Sequence, residues 1–163
     1  MEMKSIRSMF VVQFLLALLF INSCALEKKY EEEERDSIQR YLADNPGLNF
    51  ELKPSGLYYL DIVVGTGAKP AARDSVFLKY TGKYINGIMF DTNEGTSDVL
   101  KFVVLQKQVI AGLDEGLTYM NEGGKAKLLI PSSLAYGTTG YYTIPGYTPL
   151  IFDIELLRVK KNP

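Results

Sequence analysis

The 163-residue chain contains no histidine and a single cysteine, Cys24, and those two counts limit what its side chains can do. Without imidazole there is no Ser-His-Asp or Cys-His nucleophile pair, no His-ligated zinc and no imidazole proton shuttle. One thiol allows neither an internal disulfide nor a thiolate metal cluster. Ser132 and Ser133 therefore have no base to activate them. The carboxylates Asp91, Asp114, Glu115, Asp153 and Glu155 would suffice in number for a glycosidase pair, yet no spacing selects two of them. Surface charge on strands and a helix explains them equally well. Two glycine-rich stretches fail as phosphate loops: Lys69-Pro70, not a helix, follows Gly65-Thr66-Gly67, and Gly137-Thr138-Thr139-Gly140 lacks a following Lys-Ser/Thr. Lys and Arg number 18 against 19 acidic residues, a net charge of -1, so no basic field exists for gripping nucleic acid. Whatever the protein does must be done largely without ionisable catalytic groups.

Such chemistry needs a packed domain, and the chain has the means for one, with 47% hydrophobic and 23% charged residues. Its first residues are of another kind. Lys4 and Arg7 precede an apolar run from Met9 to Ile21, broken only by Gln13 and shorter than the ~20 residues of a membrane-spanning helix. Residues 1–23 read as a secretory signal peptide. Ile21-Asn22-Ser23-Cys24 resembles a bacterial lipobox, with Asn22 a less usual occupant, and implies acylation of Cys24. The alternative is an incidental free cysteine beside an ordinary cleavage site. Acyl chains suffice for tethering at about 0.8 kcal/mol per buried methylene. The expected location is the envelope of a Gram-negative bacterium. Ala25 does not signal inner-membrane retention, so the outer membrane facing the periplasm is favoured, with exposure on the cell surface left open.

Residues 24–50 read as the acylated cysteine and a charged helical spacer: EKKYEEEERDSIQRYLA (Glu27–Ala43) is rich in helix formers and stops at Asp44-Asn45-Pro46-Gly47. Its apolar stripe, Tyr30, Ile38, Tyr41 and Leu42, is thin, which favours a solvated spacer over a partner helix. From residue 51 to 163 the period changes to two. Strands are expected at Leu57–Val64, Ser75–Tyr84, Ile88–Asp91, Leu100–Leu105, Lys125–Ile130 and Leu150–Val159, with Asn86-Gly87 closing a tight hairpin. Ile110, Leu113, Leu117 and Met120 have helical spacing, closed by Gly123-Gly124. The fold class is α+β: an antiparallel sheet of five to six strands over one short amphipathic helix.

YTGKYINGIMFD (Tyr80–Asp91), QVIAGLDEGLTYMNEGGKAKLLIPSSLAYGTTG (Gln108–Gly140) and LIFDIELL (Leu150–Leu157), in that order and near the usual spacing, resemble the FKBP family of peptidyl-prolyl cis-trans isomerases. The resemblance implies a sheet wrapped over a short helix and an apolar pocket for proline. It puts Asp91, Tyr136, Ile110 and Phe152 in catalytic positions. Tyr80, Phe90, Leu100, Val109, Leu113, Tyr141 and Ile144 fall in substrate-binding ones. It implies no cofactor and no metal, since the histidine-rich tail of one branch of the family is absent. Implied partners are proline-containing unfolded or partly folded polypeptides and macrolide inhibitors such as rapamycin, with a monomer as the default state.

The sequence departs from the pattern in places. Leu113 stands where well-studied members carry a tryptophan, Leu100 replaces a common aromatic, Arg73 stands where a glycine is usual, and the Tyr141–Tyr147 loop is shorter and richer in tyrosine. These departures leave open a second reading, a catalytically weak binding module or chaperone of the envelope.

Overall fold

A computed structural model describes residues 26–162. The expected signal peptide and Cys24 lie outside the described residues. Helix α1 covers residues 26–44 and crosses the division between two compact units, one ending at Asp36 and the other starting at Ser37. Residues 26–36 are almost wholly exposed, with Lys29 and Glu33 paired one turn apart at 3.6 Å. Among the described residues no helix is long and apolar enough to cross a membrane.

The second unit is a seven-stranded antiparallel sheet. Its strands are β1 (Glu51–Leu52), β2 (Tyr58–Val63), β3 (Ser75–Tyr84), β4 (Met89–Thr92), β5 (Leu100–Val103), β6 (Lys125–Ile130) and β7 (Leu150–Lys160). They lie in the order β1-β2-β6-β7-β3-β4, with β5 also paired to β3. The two-residue β1 takes the count past the five or six expected from alternation, because a strand so short shows no period. The long β3 pairs with β7 along its whole length, with β5 over its first half and with β4 over its second. Asn86-Gly87 makes the expected turn: Gly87 takes φ +87°, a conformation open to glycine at no steric cost, and Tyr84 N donates to Ile88 O at 2.8 Å.

The inner face gathers Val76, Leu78, Ala126, Leu128, Ile130, Leu150, Phe152, Ile154 and Leu156 under helix α2 (Ala111–Leu117), which adds Leu113 and Leu117. Each fully buried aliphatic side chain contributes about 1.5–3 kcal/mol. The helix lies close on β6 because two glycines face the strand. A Cβ on Gly112 would meet Ile130 Cγ2 at 2.4 Å, and one on Gly116 would meet Leu128 Cδ1 at 2.5 Å.

The outer face is not bare. Leu129 and Ile151 are buried there with Ile38, against Tyr41, Leu42, Phe50, Tyr58 and Ile85. The last turns of α1, expected as solvated spacer, thus cover the sheet, and Ile38 is only 6% exposed. The physical reason is visible in β6, where Leu128-Leu129-Ile130 puts apolar side chains on both faces of one strand, as in a sheet covered on both sides.

Candidate active site

Six separate stretches of chain line one cavity of about 220 Å³. Strand β3 supplies Tyr80, β4 supplies Phe90 and Asp91, and β5 begins with Leu100. The segment leading into α2 gives Gln108, Val109 and Ile110, and α2 gives Leu113. Tyr136 follows a short 3₁₀ turn (Ser132–Leu134), and Phe152 comes from β7. The walls are aromatic. Phe90 and Phe152 meet edge to face at 5.8 Å, Tyr80 lies 6.0 Å from Phe152, and Tyr84 backs Phe90 at 5.2 Å. Phe90 rests directly on the backbone of Gly82, where a Cβ would lie 2.6 Å from Cζ of the ring.

Polar groups are few. The Tyr80 hydroxyl donates to Asp91 Oδ2 at 2.6 Å. Burial, then the hydrogen bond and charge of Asp91, push the Tyr80 hydroxyl well above the usual tyrosine range. Burial also raises Tyr136, with Tyr141 and Asp91 adding to it. Both phenols are therefore neutral donors at ordinary pH. Ile110 precedes α2 with φ −58° and ψ 145°, and its carbonyl accepts from the N–H groups of Leu113 and Asp114 at 3.1 Å each. Its own N–H meets no acceptor among the described residues.

The segment carrying Gln108–Ile110 is held from two sides. Asp114, only 4% exposed, accepts from Leu105 N at 2.7 Å, and Gln108 Oε1 accepts from Val103 N at 2.9 Å. Leu105 and Lys107 there take positive φ, 59° and 55°, strained for side-chain-bearing residues. Asp114 is thus an internal fastener, not the surface charge that the sequence alone suggests. Glu115 accepts from Ser55 and Tyr119, and Asp153 lies between Lys83 and Lys127. No catalytic carboxylate pair is assembled from these groups.

A second, wider cavity of about 840 Å³ adjoins the first and shares Gln108, Val109, Ile110 and Tyr136 with it. Tyr141 lines this one instead of the smaller pocket, stacked on Tyr136 at 5.2 Å and 9°, with Tyr142 edge-on to it at 4.6 Å. Ile144 lines neither cavity. A bridge between residues 141 and 144 doubles the loop back, and Ile144 is buried in the core at 7% exposure. It supports the loop from beneath, a correction to its expected place on the binding surface. Gln108, which lines both cavities, was missed because an amide has no chemical signature in sequence. Its only signal is adjacency to Val109-Ile110.

The profile of the FKBP-type peptidyl-prolyl cis-trans isomerases matches residues 66–157. The chain is 39% identical over 130 residues to FkpA, an FKBP-type peptidyl-prolyl cis-trans isomerase of Aeromonas hydrophila, covering 79% of this chain and 48% of that one. It is 36% identical over 162 residues to the outer membrane protein MIP of Legionella longbeachae, covering 98% and 66%. Among solved structures, a peptidyl-prolyl cis-trans isomerase from Pseudomonas syringae superimposes with TM-score 0.70 at 32% identity, over 82% of this chain and 96% of that one. FkpA from Escherichia coli gives 0.71 at 32% identity, over 94% and 73%. The chain spans about half the length of the FkpA relatives it matches, 48% and 55%. With this profile match and a shared fold, the chain belongs to the FKBP-type peptidyl-prolyl cis-trans isomerase family.

Proposed function

We propose that the chain accelerates rotation about Xaa-Pro bonds in exported polypeptides. The carrying observation is the 220 Å³ pocket, whose aromatic walls adjoin the unpartnered N–H of Ile110. Amide resonance sets a barrier of ~18–20 kcal/mol to rotation. Twisting the bond breaks that resonance and shrinks the carbonyl dipole. Water solvates the planar, more polar ground state better than the twisted one. Replacing water by Phe90, Val109, Ile110 and Phe152 therefore favours the transition state. Lowering the barrier by about 4 kcal/mol gives roughly a thousandfold acceleration. The Ile110 N–H holds one substrate carbonyl in a fixed pose, and the Tyr136 hydroxyl donates to its neighbour. Asp91, oriented by Tyr80, places a charge beside the twisting amide. The wider cavity takes the chain flanking the proline, and macrolides such as rapamycin compete for the smaller one.

The site of action in this reading is the bacterial envelope, with acylated Cys24 as anchor on the periplasmic side of the outer membrane. The lipobox-like residues 21–24 and the relative named as an outer membrane protein support it. A second reading, a weakly catalytic binding module, draws on Leu113, an aliphatic side chain lining the cavity from α2. One experiment separates the two: protease-free isomerisation of a Leu-Pro or Phe-Pro peptide by the full-length chain in detergent, beside Phe152→Ala checked for folding. Acceleration proportional to protein concentration, lost in the variant and blocked by rapamycin, is expected. A folded wild-type chain without acceleration would leave only the binding module.

A further inference from the structure

Lys79 neighbours Tyr80 on β3, and successive residues of a strand point to opposite faces. Among the described residues its ammonium makes no ion pair; it donates instead to three backbone carbonyls. They belong to Asn93 at 3.1 Å, Thr96 at 2.7 Å and Asp98. All three lie in the single loop, residues 93–99, that joins β4 to β5. An ammonium carries three donors on one compact centre, whereas a guanidinium is a flat fork, so a convergent set of carbonyls suits lysine. Without a cation the same carbonyl dipoles would face one another.

The loop is otherwise fastened to β3 at its first two residues, Asn93 and Glu94, the Glu94 carboxylate accepting from Thr81 Oγ1 at 3.0 Å. The Asn93 side chain accepts from Tyr80 N at 2.8 Å and donates to Leu78 O at 3.2 Å. Beyond Glu94 the hydrogen bonds are local: Thr96 Oγ1 donates to Asn93 O at 2.9 Å and accepts from Asp98 N at 3.1 Å. Just before the loop is Asp91, and just after it is Leu100, both lining the small pocket.

We infer that Lys79 is a positioning residue, a half-buried cation around which the 93–99 loop is folded so that Asp91 and Leu100 keep their places in the pocket wall. Its kinetic readout rests on the isomerase reading above; its structural readout does not.

The test compares full-length wild type with Lys79→Met, which keeps the stem and removes the charge, and with Lys79→Arg. Each is assayed for peptide isomerisation and for amide hydrogen exchange across residues 91–100. Displacement of the pocket wall should lower kcat/KM about tenfold in Lys79→Met and speed exchange in the loop. Lys79→Arg, unable to match the carbonyl geometry, should fall between the two. Ammonium chloride should restore much of the lost activity to Lys79→Met, while tetramethylammonium chloride at equal ionic strength should not. Wild-type kinetics and exchange in Lys79→Met would overturn the inference, as would a loss that ammonium does not recover. Should that variant fail to fold, the wild-type chain decides: a caged ammonium gives a slowly exchanging ¹⁵N-detected Lys79 signal, and its absence overturns the inference. A wild-type chain with no isomerase activity would refute the proposed function, and loop exchange and the ammonium signal would still decide the role of Lys79.

Discussion

The Tyr80 hydroxyl donates a 2.6 Å hydrogen bond to Asp91 Oδ2 while the Tyr80 ring lies 6.0 Å from that of Phe152. One side chain therefore joins the apolar wall of the pocket to its one charged group. Tyr80→Phe keeps the ring and frees the carboxylate to rotate. The bond is charge-assisted but partly exposed, so the loss is about 1 kcal/mol, or roughly fivefold in kcat/KM. Thermal stability should change little. An unchanged kcat/KM would remove Asp91 orientation from the mechanism.

Alkaline pH should destabilise the fold. The Tyr59 hydroxyl donates to Asp61 at 2.5 Å, and Tyr80 donates to Asp91. Burial first, then these carboxylates, hold both phenols protonated well above the usual tyrosine range. A folded-state value raised above the unfolded one stabilises fully below the unfolded value near 10 and is lost as pH rises towards the folded value. The denaturant midpoint should thus fall with rising pH above about 10. Tyr59→Phe, which removes the more buried of the two phenols, should flatten that slope; a slope unchanged in the variant would refute the assignment.

Leu113→Trp offers a direct probe of the pocket. The chain has no tryptophan, and Leu113 lines the cavity from α2 at 3% exposure. The indole would extend into the 220 Å³ space, at a packing cost of about 1–3 kcal/mol. A flat floor beneath the proline ring should raise kcat/KM, and the single indole fluorescence should change as peptide binds. Fluorescence insensitive to peptide, in a folded variant, would place the substrate elsewhere.

Ile38→Ala tests the outer face of the sheet. Ile38 is 6% exposed and clusters with Leu129 and Ile151, so truncation should cost about 2–5 kcal/mol. Equilibrium unfolding by urea should show that loss with kcat/KM unchanged, because none of the three lines either cavity. A cost below about 0.5 kcal/mol would class the position with ordinary surface sites and return the helix end to a solvated spacer.

What the amino-acid order determined by itself is local. Alternation in Ser75–Tyr84, Lys125–Ile130 and Leu150–Val159 identifies three of the strands. Asn86-Gly87 sets a turn because glycine alone takes its positive φ without strain. Ile110, Leu113, Leu117 and Met120 mark the helix by their spacing. The tertiary structure decided whatever depends on chain remote in sequence. Ile38 looked solvated because its cover, Leu129 and Ile151, lies about a hundred residues on. Asp114 read as a surface charge, and Lys79 drew no reading at all, because their partners are backbone groups, which every residue carries and no side-chain pattern marks. Tyr141 and Ile144 are three residues apart, yet one lines a cavity and the other is core, since a bridge between them doubles the loop back on itself. The site is assembled the same way, from Tyr80 to Phe152, by strand register and not by any contiguous motif.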